Sequence, residues 1–304
     1  MAHREGLLDM NELRRRGIDR PDRLPPGSVV ERLRRGVYAE AERLASLTET
    51  GRYRVAVLAA AKTLRPGVVF SHESAAVLLG LPVLAAWPRT VHLIDDRRTG
   101  GRSQLDVVRH CLGLEHAHPQ AVDGVLTTSP ARTVYDLAVG RSFPSAVVTA
   151  DAALARYAEC RGELAALTAT LVGTRGQHKA VRVAAFADGL AGSPGESLSR
   201  VLMDRFGFVR PVLQFAVRTG RREEFTDFAW PDEGAAGEFD GEVKYREDRY
   251  RLGGTPEDVV IREKNRENRI RAVLPRFARW DWRDLQQPER LRATLLRAGV
   301  PLAR

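Results

Sequence analysis

The segment TDFAWPDEGAAGEFDGEVKY, residues 226 to 245, decides how the C-terminal third of the chain folds. REEFTDFAW alternates as a strand, PDEG is a turn tetrapeptide, and AAGEFD returns as a second strand. With residues 231 to 234 as the loop, Trp230 opposes Ala235, Ala229 opposes Ala236, Phe228 opposes Gly237 and Asp227 opposes Glu238. Side chains directly opposite each other have Cβ atoms about 4.5 to 5.5 Å apart, and like charges there oppose folding. Asp240 lies two residues past Glu238 and projects from the same face, so three acids share one patch. Either the local arginines or a divalent cation must offset their repulsion. Mg2+ suits the second case, because it takes oxygen ligands at about 2.0 to 2.1 Å from one or two carboxylates, waters and phosphate. Lys244 would then orient water or meet phosphate charge. A slip of one residue would turn Glu238 to the other face, so the expectation rests on a symmetrical loop.

The flanking elements support the same unit. SPGESLSRVLMDRFGF predicts a helix with Ser193 as its cap, Pro194 at the first position, Glu196 completing a capping box and Gly207 as the stop. VRPVLQFAVRTG is a strand, and EDVVIREKNRENRIRAVL is a helix that places Arg262, Arg266 and Arg269 on one face, toward the acids or toward a phosphate backbone. LPRFARWDWRDL gives a last strand and the start of a closing helix. The Gly- and Ser-containing DGLAGSPGES puts a domain boundary between residues 175 and 190.

Further upstream, residues 9 to 40 predict a short helix, a polar turn and the strands of GSVVERLRRGVYA, the end of a small winged helix-turn-helix. The Pro-rich DRPDRLPPG shortens the place of a recognition helix, and Arg32, Arg34 and Arg35 before Gly36 are placed either for phosphate contacts from a wing or on a plain exposed hairpin. Between residues 50 and 170, RYRVAVLAAAKTL and SHESAAVLLGL have helical spacing, RTVHLID and LDVVRHCL are strands around DDRRTGG, and TSPARTVYDLAV starts a helix at Ser129 with Arg132 and Asp136 four apart. AVVTADAALARYAECRGELAALTATL continues as Ala- and Leu-rich helix. This block is expected to pack rather than to carry chemistry. His110, Cys111, His116 and His118 crowd one segment at a spacing that fits no common zinc pattern, and His72-Glu73 is followed by Ala76 where a zincin motif needs histidine.

Composition bounds the function classes. The chain has 304 residues with 43% hydrophobic and 29% charged, which is ordinary for folded domains and argues against global disorder. Its formal charge is +9; residues 262 to 304 hold twelve Lys or Arg against five Asp or Glu, so +7 of the excess sits at the C-terminal end. Such a field favours polyanions, nucleic acid first, or marks a solvated helix face. Lysine occurs only at 62, 179, 244 and 264, which singles out Lys244 as a compact ammonium among arginines. Two cysteines make no disulfide framework, MAHREGLLDMNELRRRG has no apolar leader core, and no run of 18 apolar residues occurs. A cytoplasmic location without a membrane partner is the expectation.

The order helix, strand, strand, strand, helix, strand, helix, with acids in SPGES, TDFAWP and GEFDGEVKY followed by REKNRENRIR, resembles the PD-(D/E)xK restriction-endonuclease-like fold in its very-short-patch-repair-like branch. The whole chain, through ERLRRGVYA, SHESAAVLLGL and TSPARTVYDLA, is similar to actinobacterial AbiEi-type antitoxin or transcriptional-regulator-like proteins. The resemblance implies an α/β (α+β) chain with a degenerate winged-helix segment at residues 1–45, a mixed α/β middle domain at 46–185 and an endonuclease-like domain at 186–304. It implies Glu196, Asp227, Glu238, Asp240 and Lys244 as catalytic residues and Asp227 and Glu238 as ligands of Mg2+ or Mn2+. Arg32, Arg34, Arg35, Arg262, Lys264, Arg266 and Arg269 would contact DNA. The function implied is hydrolysis of DNA phosphodiester bonds in defence or repair; the alternative is a catalytically silent antitoxin or regulator with a cognate toxin or defence-system partner. Two departures stand out: Asp240 occupies the usual lysine position, and Lys244 stands where related branches often have histidine.

Overall fold

The computed structural model describes residues 6–21, 28–94, 106–111, 113–220, 222–241 and 256–303. Among them, twelve helices and three sheets of three, five and four strands make an α/β fold. The chain forms two compact units, one of Met1–Ala153 with Tyr157–Phe186, the other of Leu154–Arg156 with Ala187–Arg304.

The first unit begins with β1 (Leu7–Asp9), α1 (Met10–Arg15), β2 (Val30–Arg34) and β3 (Val37–Glu40), and its three strands lie in the antiparallel order β1-β3-β2. Gly36 at φ +78° turns β2 into β3, a conformation that a Cβ would penalise. Then follow α2 (Ala41–Ser46), α3 (Glu49–Thr63), β4 (Val69–Phe70), α4 (His72–Leu79), β5 (Val91–Ile94), β6 (Val107–His110), β7 (Gln120–Val122), β8 (Val125–Thr127) and four helices, α5 (Pro130–Gly140), α6 (Phe143–Arg156), α7 (Cys160–Thr170) and α8 (Gln177–Phe186). The five strands order as β6-β5-β4-β8-β7, with β5 parallel to β6 and β4 parallel to β8. Leu7, Val37, Ala39 and Leu44 share one apolar core with Tyr53, Val57, Phe70 and Val91, so residues on both sides of position 45 are packed together. Ser129 caps α5 by accepting the Arg132 N–H, and Arg132 Nε donates to Asp136 at 2.8 Å, as the spacing predicts. The single helix expected over AVVTADAALARYAECRGELAALTATL is instead two, because Tyr157 leaves helical geometry at φ −123° and ψ 106°.

The second unit runs α9 (Pro194–Arg205), β9 (Val212–Thr219), β10 (Arg222–Trp230), β11 (Ala235–Asp240), α10 (Pro256–Val273), β12 (Arg276–Asp281), α11 (Trp282–Gln286) and α12 (Pro288–Arg297). Sheet order is β12-β11-β10-β9, antiparallel except for the parallel pair β11 and β12. One sheet face buries Phe228, Trp230, Phe239 and Trp280 with Leu202 and Met203 of α9 and Leu291 and Leu295 of α12. Both indoles are satisfied, Trp230 Nε1 by the Val209 carbonyl and Trp280 Nε1 by Ser199 Oγ, each at 2.8 Å. At roughly 25 cal/mol per Å2 of apolar surface removed from water, large side chains such as these dominate the stabilisation of the unit. On the other face Val217, Ala229 and Ala236 are small enough for Ile270 and Leu274 of α10 to pack against the strands.

Candidate functional site

The hairpin holds the predicted register over Trp230↔Ala235, Ala229↔Ala236 and Phe228↔Gly237, and there the ladder ends. Pro231–Glu233 make one 3-10 turn, and Gly234 at φ +62° closes it in the left-handed region. One residue beyond the last pair, Asp227 turns its carboxylate to accept the Phe239 N–H at 2.9 Å, a proton that a continuing ladder would give to a strand carbonyl. On the opposite side β10 pairs Thr226↔Phe215 and Phe228↔Leu213 but skips Asp227, where Gln214 adopts φ +46°. A left-handed glutamine inside a strand is uncommon and costly, on the order of 1–3 kcal/mol. The sheet is therefore opened at Asp227 along both neighbouring strands.

Glu196 is tied to this opening. Ser193 Oγ accepts the Glu196 N–H at 3.2 Å, the expected cap, yet the Glu196 carboxylate takes the Gly192 N–H at 2.8 Å and Gln214 Nε2 at 3.1 Å. Glu196 is buried and holds the side chain of the strand position opposite Asp227. Gln214 was not expected from the sequence, because VLQFAV alternates as an ordinary strand and no glycine marks the irregularity.

Glu238 and Asp240 lie on the face covered by α10. Glu238 is buried, and both its oxygens are engaged, Oε1 by Arg266 at 2.6 Å and Oε2 by Arg279 at 2.7 Å. Arg279 also reaches Asp240 at 3.3 Å and Glu263 at 3.0 Å, while Arg269 pairs with Glu224 at 2.6 Å. Of the three acids, Glu238 and Asp240 are thus met by arginine. Burial pushes the Asp240 carboxyl above the usual range; Arg279 opposes this, and Glu238, Glu263 and Asp281 add to it. Burial works against the charge of Arg266, but Glu238 and Glu263 together more than compensate and raise its pKa.

Magnesium takes one or two carboxylates with water and phosphate; here Asp227 accepts the Phe239 N–H and Glu238 is held by two arginines, so an ion shared by the two acids would require Glu238 to exchange those arginines. Among the described residues no group of three acids comes together here as a ready-made cage. Of the α10 cations, Arg266 and Arg269 face the acids, whereas Arg262 and Lys264 are exposed. Lys244 lies outside the described residues. In the β2–β3 hairpin Arg32 and Arg35 are exposed, and Arg34 is half-buried against Asp106.

A second constellation appears where no chemistry was expected. His72 at the start of α4, His92 in β5 and His110 in β6 bring one ring nitrogen each within 4.8 Å of the others. Cys111, His116 and His118, which crowd His110 in sequence, take no part in that group. Glu73, placed beside His72 by the zincin-like start, is buried and paired with Arg141. Burial pushes the Glu73 carboxyl up, but Arg141, the Glu73 N–H and His92 together more than reverse it, leaving it below the usual carboxylate range.

Among the described residues no helix is long and apolar enough to cross a membrane. No protein-family model matches the chain. It is similar to two proteins called uncharacterized, from Mycobacterium tuberculosis strains CDC 1551 / Oshkosh and ATCC 25618 / H37Rv, with 34% identity over 174 residues in each case. The match covers 53% of this chain and 64% of each relative, so the chain spans less than two thirds of the length of the curated relatives it matches.

Proposed function

We propose that the protein binds DNA and that its second unit hydrolyses phosphodiester bonds with Mg2+ or Mn2+. The observation that carries this reading is the opening of the sheet on both sides of Asp227, which costs backbone pairing at the acid next in strand register to the buried Glu238. Local strain of this kind is concentrated at functional sites. Asp227 and Glu238 would hold the ion, which supplies Lewis-acid polarisation of the phosphate and a water of lowered pKa. Glu196 fixes Gln214 and through it the shape of the opening. Arg262 and Lys264, exposed on α10, grip the phosphate backbone. Arg266 and Arg279 keep Glu238 neutralised until phosphate draws them away.

A second reading is an AbiEi-type antitoxin or regulator that uses the same unit only to grip DNA or a partner. It is favoured by one observation: both oxygens of Glu238 are already balanced by arginine. Incubating the full chain with supercoiled plasmid and Mg2+ or Mn2+, beside Asp227→Asn, separates the two. Asparagine keeps an oxygen to accept the Phe239 N–H while removing the charge. Nicking by the parent that Asp227→Asn loses supports the enzyme; a gel shift of the plasmid with no metal-dependent nicking supports the silent binder.

A further inference from the structure

We propose that His72, His92 and His110 form a binding site for a transition-metal dication, zinc first, in the first unit. The three come from three separate elements, and their ligand atoms already lie within 4.8 Å of one another. His92 Nδ1 and His110 Nε2 are 3.0 Å apart and share one proton, while the His72 and His110 rings stack with centroids 3.7 Å apart. Zinc binds imidazole nitrogen at about 2.0 to 2.1 Å, so two nitrogens of a tetrahedral site stand roughly 3.3 to 3.4 Å apart. Replacing the shared proton by an ion therefore opens the His92–His110 pair by only a few tenths of an ångström, roughly. His72 must turn out of its stack, because an ion lies near the plane of each ring that binds it. Its backbone, at φ +51°, is held in the left-handed region that a histidine rarely adopts.

An independent observation points to the same ligand. Asp136 is buried, its Oδ1 is bonded to Arg132, and its Oδ2 has no hydrogen-bond partner although it lies 3.8 Å from His72 Nδ1. Glu73 Oε2 stands in the same relation to His92 Nε2, at 3.9 Å. Metal-bound histidines donate their second ring N–H to an oxygen acceptor, and at 3.8 and 3.9 Å the two carboxylates add negative charge behind the rings without a direct hydrogen bond. Ser71 Oγ lies 3.0 Å from His72 Nδ1 and Thr90 Oγ1 lies 3.3 Å from His92 Nε2, so these hydroxyls occupy the outer nitrogens and leave His72 Nε2 and His92 Nδ1 for the ion. Arg132 and Arg141 offset the two carboxylates. Three imidazoles select zinc, copper, nickel or iron over magnesium, and they leave a fourth position for water or a substrate atom.

The full chain, stripped with chelator and shown to be folded by circular dichroism, is titrated with Zn2+ by calorimetry and with Co2+ by visible absorption. One ion per chain is expected, with tetrahedral cobalt bands, and a rise in melting temperature of roughly 5–10 °C at about a hundredfold excess over Kd. His92→Ala and His110→Gln are expected to weaken binding about a hundredfold, and Asp136→Asn about tenfold, following the usual cost of a lost outer-shell partner. His118→Ala and Cys111→Ser, exposed positions of the same segment, are expected to bind as the parent does. A folded parent that binds no zinc tighter than about 100 µM, roughly 5.5 kcal/mol, overturns the proposal. So does parent-like binding by His92→Ala and His110→Gln, or loss of binding in either control.

Discussion

Replacing Arg279 by methionine tests whether arginine, rather than solvent, balances the acids of the sheet. Arg279 stands 2.7 Å from Glu238, 3.3 Å from Asp240 and 3.0 Å from Glu263. Its side chain is 27% exposed and that of Glu238 is 8% exposed, which places the pair between two limits. An exposed pair contributes about 0 to 1 kcal/mol, whereas removing one partner of a fully buried pair costs about 3 to 5 kcal/mol. Glu238 keeps Arg266 at 2.6 Å, so the loss falls near the middle, about 2 kcal/mol, against about zero for an unengaged surface arginine. Urea unfolding of the full chain followed by tryptophan fluorescence reads this well, because Trp230, Trp280 and Trp282 all lie in the second unit. In the double variant with Glu238→Gln the two losses should fall short of additivity by about 1 kcal/mol or more. Millimolar Mg2+ should then restore stability to Arg279→Met more than to the parent, since Glu238 has lost one competitor for the ion. A single-variant effect within about 0.5 kcal/mol of zero, or strict additivity, would refute the reasoning.

Other changes have equally definite outcomes. A Cβ on Gly195 would come within 2.0 Å of Phe239 Cε1, so Gly195→Ala should destabilise the second unit by about 1–3 kcal/mol, although the same change in an open helix stabilises; thermal melts decide the sign. Asp240 has a folded-state pKa raised above its ordinary 3.8, so the folded protein binds its proton more tightly than the unfolded chain. As pH rises from 3.8 through the raised value, the parent should lose stability relative to Asp240→Asn, a trend that urea midpoints across that window would show or fail to show. Arg262→Ala and Lys264→Ala should each lower the slope of log affinity for DNA against log salt by about 1, without altering sequence preference, as measured by fluorescence anisotropy.

The sequence was most readable where structure is local. The register across PDEG followed from alternation and a turn whose closing glycine takes φ +62°, and the caps at Ser129 and Ser193 followed from residue type and position. The site was less readable, because its contacts span the chain. Arg266 and Glu238 are 28 residues apart and Arg279 and Glu238 are 41, so no spacing rule could choose between arginine and metal as the balancing charge. The opening at Asp227 depends on a glutamine in a glycine-like conformation, which residue type argues against. The histidine cluster was hidden for the same reason: its members sit on a helix start and two parallel strands, and proximity in sequence singled out Cys111, His116 and His118 instead.

The most direct test of the central claim, that Asp227 and Glu238 share a metal ion for phosphodiester hydrolysis, is the rate of plasmid nicking in Mg2+ by the parent, Asp227→Asn and Glu238→Gln. DNA affinity should stay within about twofold in both variants, while their rates fall by roughly 100-fold or more, equivalent to about 2.7 kcal/mol or more in the barrier. Nicking at equal rates in all three proteins, or in chelator, would contradict it.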